Sequence, residues 1–352
     1  MVFLLVRELK RRHPDIRISV VLPPDGMYVQ RFRSLDVPTI EFPLNRISPL
    51  HIPRFLSLVL NMRPDVLHSH GKGAGLYARM VPRFLCRARR VHSYHGFHPP
   101  HHPVANSLYR RLESVLLKRV DAVAALSKSE AAEIGAVSPK NRAKIKIMPN
   151  VVACDQLRER GEHRLPSAVE SFLGRNTGRF VMTMIGRDDP VKNFPLAFRA
   201  AQATLRKSDN VCFVFVGVNA SESAYAPLRE KYPESVLAVP SLDNPAPLLR
   251  KSSAVLLTSR KEGSPLVVLE AFCFGKPVVG TDVPGIQDAV KDGLNGILCP
   301  ENEEALAAVI ERLANDVELY ARLSRNALAT SGEMDVTSWT EQYYKLYSHR
   351  SG

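Results

Sequence analysis

The sequence predicts an α/β protein made of two Rossmann-like domains facing a cleft. Two observations lead there. The chain has 352 residues, about twice the roughly 150 of an average domain. Along most of it, short apolar runs of strand length alternate with stretches of helical periodicity, the signature of βαβ units in a parallel sheet. Composition agrees with a globular protein: 45% hydrophobic and 24% charged residues exclude disordered, collagen-like and coiled-coil chains. No apolar run approaches the ~20 residues of a membrane-spanning helix. The opening Met1–Val6 runs at once into Arg7–Arg12, without the leader and cleavage pattern of a signal peptide. Cys86, Cys154, Cys212, Cys273 and Cys299 are scattered, with no Cys-x-x-Cys pair, which fits a reducing cytoplasm and argues against a disulfide framework.

The first half opens with a helical stretch, Phe3–Arg12, then an apolar strand, Ile16–Leu22, stopped by Pro23-Pro24-Asp25-Gly26. Val37–Phe42 reads as a short strand, His51–Met62 as an amphipathic helix, and Val66–Ser69 as a buried strand after the breaker Pro64-Asp65. Arg90–His95 is a strand entering the turn at Gly96. Val104–Val120 is helical, with Leu108, Leu112, Val115 and Leu116 on one face and Arg110, Arg111, Lys118 and Arg119 elsewhere. Strands at Ala122–Leu126 and Lys144–Met148 follow, and Pro149-Asn150 closes a first domain of residues 1–152. Residues 153–178 are polar and weakly periodic, and read as a linker.

The second domain, 179–335, alternates more cleanly. Its strands are Phe180–Ile185, Val211–Val216, Val236–Val239, Ala254–Thr258, Pro277–Gly280 and Gly296–Cys299. Helices fall between them at Phe194–Arg206, Ser223–Lys231, Pro245–Lys251, Pro265–Phe274 and Gly285–Lys291, with Glu301–Ala314 after the last strand. Residues 336–352 end in an amphipathic helix with Trp339, Tyr343 and Tyr347 at helical spacing. Periodicity locates its buried face but leaves open whether it packs on its own domain or on the first.

The run from Arg260 to Pro277 carries the most chemistry. Ser264 is a good N-cap, Pro265 suits the first helical position, and Gly275 with Pro277 ends the helix. That helix is apolar all round except for Glu270. A buried carboxylate costs several kcal/mol or more unless it is paired. Either a ligand hydroxyl pair or a partner within the same domain compensates it. Glu262 sits on the loop ahead of the helix, where Gly263 admits close backbone approach and the helix start favours a phosphate. Gly186-Arg187 and Lys192-Asn193 follow the strand Phe180–Ile185. Ligands of open α/β sheets bind at the carboxyl ends of strands, where an Arg and a Lys can hold a diphosphate from two sides. Without such a ligand the same loop is a solvated turn, partly neutralised by Asp188 and Asp189.

Two further motifs are weaker. His92, His95, His98, His101 and His102 crowd one segment, but their spacing is not a zinc pattern and no acid lies nearby to orient them. His68-Ser69-His70-Gly71, with glycines again at 73 and 75, lacks the remaining features of a dinucleotide fingerprint. It reads as a tight strand-to-helix turn.

Taken together and in order, these motifs resemble those of glycosyltransferase family 4, retaining enzymes of the two-domain GT-B architecture. Glu262 and Glu270 are similar to that family's paired-glutamate motif, with Gly263-Ser264-Pro265-Leu266 in its usual place. Gly275–Ile286 and Asp292–Gly296 match its continuation, Gly186-Arg187 with Lys192-Asn193 its diphosphate loop, and His95-Gly96 its first-domain histidine. The resemblance covers about residues 63–348 and implies roles. Arg187 and Lys192 would neutralise the donor diphosphate as leaving group. Glu270 would hold the ribose hydroxyls. Glu262 and the backbone of Gly263, Ser264, Pro265 and Leu266 would contact the donor sugar and its phosphates, and His95 the transferred sugar. The donor would be a UDP-sugar or GDP-sugar, with no metal and no other cofactor. The product would retain anomeric configuration on a glycan or lipid-linked acceptor of cell-surface polysaccharide or glycolipid synthesis. A sugar-nucleotide epimerase of the same architecture and a catalytically dead homologue are the alternatives.

Family members usually begin with a strand and a glycine-rich loop before the first helix. This chain opens inside what resembles that helix, so the first domain is expected to be N-terminally incomplete, through a start placed downstream or a degenerate copy.

Net charge completes the reading. Residues 1–150 hold 25 Lys/Arg against 10 Asp/Glu, a net +15, whereas residues 151–352 sum to −2. A nucleic-acid partner is disfavoured because no binding module is present and few aromatics lie near the cations. The basic half instead suits an anionic membrane surface carrying a lipid-linked acceptor, which implies a cytoplasmic protein, peripheral on the inner face of the plasma membrane.

Overall fold

A computed structural model describes residues 1–24, 26–97, 99–100, 102–218 and 224–348. The chain divides into two units, one of residues 1–150 with 336–352 and one of residues 151–335.

The first unit runs α1 (Val2–Arg12), β1 (Val20–Leu22), α2 (Gly26–Arg33), β2 (Thr39–Glu41), α3 (His51–Met62), β3 (Val66–His70), α4 (Gly71–Met80), β4 (Arg89–Ser93), α5 (Pro103–Leu117), β5 (Ala122–Ala125), α6 (Lys128–Val137) and β6 (Ile145–Ile147). Every strand pairing is parallel, in two sheets: β1 with β2, and β3-β4-β5-β6. No pairing joins β1 to β3 among the described residues. Phe42, Phe55 and Tyr77 meet edge-on in the core beside β3.

Several elements differ from expectation. The first strand is hydrogen-bonded only over Val20–Leu22, because its partner is three residues long. Gly26, read as part of the stop after the first strand, is the first residue of helix α2, which buries Val29 and Phe32. Gly71, Gly73 and Gly75 lie inside helix α4, which starts straight off β3, rather than in a loop. On α5 the buried side carries Glu113, Leu116 and Leu117, while Leu108, Leu112 and Val115, read as one face with Leu116, are exposed.

The second unit begins with α7 (Cys154–Arg160) and α8 (Ser167–Arg175), where a linker was expected across 153–178. Both pack: Val169 and Phe172 of α8 close one side of the following sheet, and Leu157 of α7 meets Ala246 and Cys273. Their short length, seven and nine residues, hides the period. Then come β7 (Phe180–Ile185), α9 (Phe194–Leu205), β8 (Val211–Val216), α10 (Ala226–Lys231), β9 (Val236–Val239), α11 (Ala246–Lys251), β10 (Ala254–Leu257), α12 (Leu266–Cys273), β11 (Val278–Thr281), α13 (Ile286–Ala289), β12 (Gly296–Cys299), α14 (Glu303–Asn315) and α15 (Val317–Gly332). Ser223, the expected start of α10, lies outside the described residues.

These six strands form one parallel sheet in the order β12-β11-β10-β7-β8-β9. Counted within the unit this is the doubly wound order 3-2-1-4-5-6 read from the other edge. Parallel strands covered on both faces read as unbroken apolar runs, and all six residues of β8 are buried. The last helix, α16 (Val336–Ser348), belongs to the first unit. There His13 stacks on Tyr344 with ring centroids 3.7 Å apart, and Arg89 donates to the Leu346 carbonyl at 2.6 Å.

Candidate active site

The doubly wound order sets the position of the site. Strands β7 and β10, the first and fourth of the second unit, are neighbours. Their carboxyl-end loops therefore share the point where the strand order reverses, the usual ligand position of such sheets. Those loops carry Arg187 and Lys192 after β7, and Glu262 to Leu266 after β10.

The first loop is held by short-range bonds. The Asp189 carboxylate accepts the backbone N–H groups of Val191 and Lys192, both at 3.0 Å. Asn193 takes the left-handed conformation at φ 55° ahead of α9. The Thr258 hydroxyl lies 3.1 Å from both the Lys192 and Asn193 carbonyls, and the Arg260 N–H donates to the Val191 carbonyl at 2.8 Å. The two loops are thereby fastened together. Lys192 Nζ reaches Glu262 Oε1 at 2.6 Å, and that oxygen also accepts the Ser259 hydroxyl at 2.6 Å. Arg187 is exposed, and its guanidinium has no partner among the described residues. Two cations and a clamped carboxylate thus line one rim, with Asp189 spent on the backbone rather than on Arg187.

Glu262 is also fixed from behind. Its N–H donates to the Pro284 carbonyl at 3.1 Å. Gly285, at φ 83°, comes so close that a Cβ there would lie 2.0 Å from the Glu262 carbonyl oxygen. The Val-Pro-Gly run after β11 is the seat on which the Glu262 loop rests.

Helix α12 starts at Leu266, with Pro265 as its N-cap residue. That is one position later than the expected Ser264 cap, within the usual variation of helix ends. The other end agrees: Gly275 and Lys276 return their N–H groups to the Phe272 and Ala271 carbonyls at 2.9 Å. Glu270 is half-buried on a helix whose neighbours Val267, Val268, Ala271 and Phe272 are fully packed. Burial raises its carboxyl pKa, and Arg160 opposes this. No hydrogen-bond donor meets it among the described residues. An acid with both oxygens available suits a ligand that brings its own donors, such as a hydroxyl pair.

Cys273, the last residue of α12, is disulfide-bonded to Cys154 of α7, with Cα atoms 5.3 Å apart. This corrects the expectation from cysteine spacing. The two residues are 119 positions apart, so no local pattern could announce the bond. It ties the far end of the Glu270 helix to α7, within the stretch expected to be a linker.

His95 lies in the first unit, just past β4, and does not belong to the cluster above. His68 and His70, two apart on β3, share one strand face. His70 Nδ1 and His95 Nε2 are 3.1 Å apart, and the His68 and His70 rings 4.0 Å. His68 is bonded on both nitrogens, to Ser93 Oγ and Tyr347 Oη, each at 2.8 Å. Desolvation lowers His95 to about 4 even though its ring keeps an open edge, and burial with the nearby His95 lowers His68 to about 3. Burial holds His70 and His92 well below the ordinary imidazole range as well. All four rings are neutral near pH 7, so His95 offers one donor and one acceptor, not a charge. Sequence reasoning missed His68 and His70 as its supports; their alternation on one strand was the available signal. No group of His, Cys, Asp and Glu among the described residues is arranged to hold a metal; His98 and His101 lie outside those residues.

Beside His95 a cavity of about 220 Å³ is lined by Gly71, Lys72, Arg79, His92, Tyr94, His95, Gly96 and Glu113. Its floor is a buried bidentate pair, Arg79 to Glu113 at 2.7 and 3.1 Å, to which the Tyr94 hydroxyl adds a bond of 2.6 Å. Glu130 accepts the Gly96 and Leu126 N–H groups at 2.7 and 2.6 Å and so sets the His95–Gly96 turn.

Solved structures share this fold. Anabaena HepE, crystallised with UDP and glucose, is 21% identical, with a TM-score of 0.79 over 98% of this chain and 95% of that one. A glycosyltransferase from Rickettsia africae is 17% identical, with a TM-score of 0.76 over 98% and 92%. The architecture is that of the GT-B glycosyltransferases. Two family models then match the two halves: glycosyl transferase 4-like domain over residues 2–151, and glycosyl transferases group 1 over residues 169–330. Together, the two matched halves and the shared architecture support a glycosyltransferase of GT-B fold. Among curated relatives, an uncharacterized glycosyltransferase of Haemophilus influenzae is 32% identical over 31% of this chain, a stretch spanning only 32% of that protein. The UDP-Gal:alpha-D-GlcNAc-diphosphoundecaprenol alpha-1,3-galactosyltransferase of Escherichia coli is 25% identical over 84% of this chain and 79% of its own length. No helix among the described residues is long and apolar enough to cross a membrane.

Proposed function

We propose that this glycosyltransferase moves a sugar from a nucleotide-diphosphate donor to a lipid-linked or polysaccharide acceptor with retention of anomeric configuration, at the anionic inner face of the plasma membrane. The observation that carries the donor half is the constellation at the carboxyl ends of β7 and β10: the Lys192–Glu262 pair, with Arg187 and Glu270, neither of which has a hydrogen-bond partner among the described residues. Arg187 and Lys192 stabilise charge developing on the leaving diphosphate. Glu270 accepts the two ribose hydroxyls. Glu262 and the backbone of Gly263 to Leu266 meet the sugar and its phosphates, and neutral His95 hydrogen-bonds the transferred sugar. The anomeric carbon–oxygen bond breaks with its electron pair going to the diphosphate. The acceptor oxygen bonds the same face, and its proton passes to the departing phosphate oxygen. A UDP-sugar is favoured by the donor in the Escherichia coli relative's name and by the UDP in the HepE crystals. The diphosphoundecaprenol in that same name supports a lipid-linked acceptor.

Titration calorimetry with UDP and GDP, followed by turnover with the matching nucleotide sugars, tests the reading. Glu270→Ala is expected to lose nucleotide binding and turnover together. Wild-type binding of neither nucleotide, or full turnover in Glu270→Ala, would reject it.

A further inference from the structure

Helix α5 leaves its apolar stripe in solvent. Val104, Leu108, Leu112 and Val115, spaced four, four and three apart, follow one side of the helix, and Val104 and Leu108 are 70% and 68% exposed. Ser107, Arg111, Lys118 and Arg119 flank them and are exposed too. The only carboxylate of the helix, Glu113, points the opposite way and is consumed by Arg79. A second element adds the same chemistry beside the carboxyl end of α5. There Arg83 donates to the Arg119 carbonyl at 3.1 Å and to Asp121 at 2.7 Å. Its neighbours Phe84, 82% exposed, and Leu85 stand in solvent.

We infer that this face, α5 with Phe84 and Leu85, is where the chain lies on an anionic lipid bilayer. The inference deepens the membrane part of the proposed function and rests on that reading. Leu108 and Leu112 enter the boundary between headgroups and acyl chains, as the apolar side of an interfacial helix does. Arg111, Lys118 and Arg119 meet the lipid phosphates, in line with the +15 of residues 1–150. Charge decides against a second copy. In a two-fold dimer the same patch faces itself, which would set these cations against their own equivalents with no exposed carboxylate on the helix to answer them. A bilayer with anionic headgroups supplies both the apolar interior and the counter-charge.

The test is vesicle flotation of the full chain at low and high salt. Vesicles would be phosphatidylcholine alone, or phosphatidylcholine with one third phosphatidylglycerol. Binding is expected on the anionic vesicles only, falling at high salt. The double variant Leu108→Asp/Leu112→Asp should lose at least tenfold in vesicle affinity, and Arg111→Glu/Lys118→Glu likewise. Val317→Asp, an exposed apolar position of the second unit, should bind as wild type. Circular dichroism and thermal melting of each variant report folding, and UDP titration reports donor binding. Wild-type binding that survives both α5 double variants overturns the assignment of this face. A wild type that binds UDP but no vesicles overturns the membrane reading and leaves the donor reading standing. Dimerisation abolished by Leu108→Asp/Leu112→Asp, without vesicle binding, also overturns it, in favour of a second copy.

Discussion

Replacing Gly285 by alanine should disable nucleotide binding through a residue with no polar side chain of its own. Two effects add. At φ 83° an L side chain costs about 1–2 kcal/mol. The new Cβ would also sit 2.0 Å from the Glu262 carbonyl oxygen and 2.5 Å from its carbonyl carbon. Ordinary non-bonded contact is about 3.5 Å, so the Glu262 loop must withdraw by roughly 1 Å or more. That breaks the 2.6 Å contact with Lys192, and a misplacement of about 1 Å can cost ~100-fold in rate. Gly293 separates the two effects: it has φ 70° and nothing within 4 Å of its would-be Cβ. Gly293→Ala should therefore lose about 1–2 kcal/mol of stability by the same backbone strain while keeping its UDP affinity. Gly285→Ala should lose that and at least tenfold in UDP affinity by calorimetry. Equal UDP affinity in the two variants, with equal melting shifts, would refute the reasoning.

Other consequences follow from particular contacts. Glu113→Ala strands the Arg79 guanidinium in the core and should cost about 3–5 kcal/mol in urea unfolding, whereas Arg79→Met/Glu113→Leu should recover most of it; equal loss in both would show that the pair's charge is not the cause. Acid should weaken the first unit early. His68, held near 3, and His92, held lower than the ordinary range, stay neutral when folded but take up protons below about 6.5 when unfolded. Stability is then complete above about 6.5 and is lost as pH falls toward 3, beginning before the carboxylates titrate. A melting temperature flat from pH 7 to pH 5 would contradict this. Reduction, or Cys154→Ala/Cys273→Ala, should destabilise the second unit by up to about 4–5 kcal/mol on the chain-entropy account of a long loop, seen as a lower melting temperature with dithiothreitol; no change would show that the bond does not contribute.

The sequence by itself determined the parts of this protein that depend on neighbours along the chain. Phe180–Ile185, Val211–Val216 and His51–Met62 occupy the limits their apolar runs and breakers predict, since a strand buried on both faces or a helix with one apolar side declares itself within a dozen residues. The loops bearing Arg187, Lys192 and Glu262, and the helix bearing Glu270, were legible for the same reason, because glycine and proline mark where strands hand over to helices. Tertiary structure decided what each of these groups meets. Lys192 finds Glu262 across 70 residues, Cys154 finds Cys273 across 119, and His68 finds Tyr347 across 279. Such partners are set by the order of strands in a sheet, which no local window contains. The same limit governs α5. Its period located an apolar stripe but not which side meets the core: packing turned Glu113, Leu116 and Leu117 inward and left Leu108, Leu112 and Val115 in solvent.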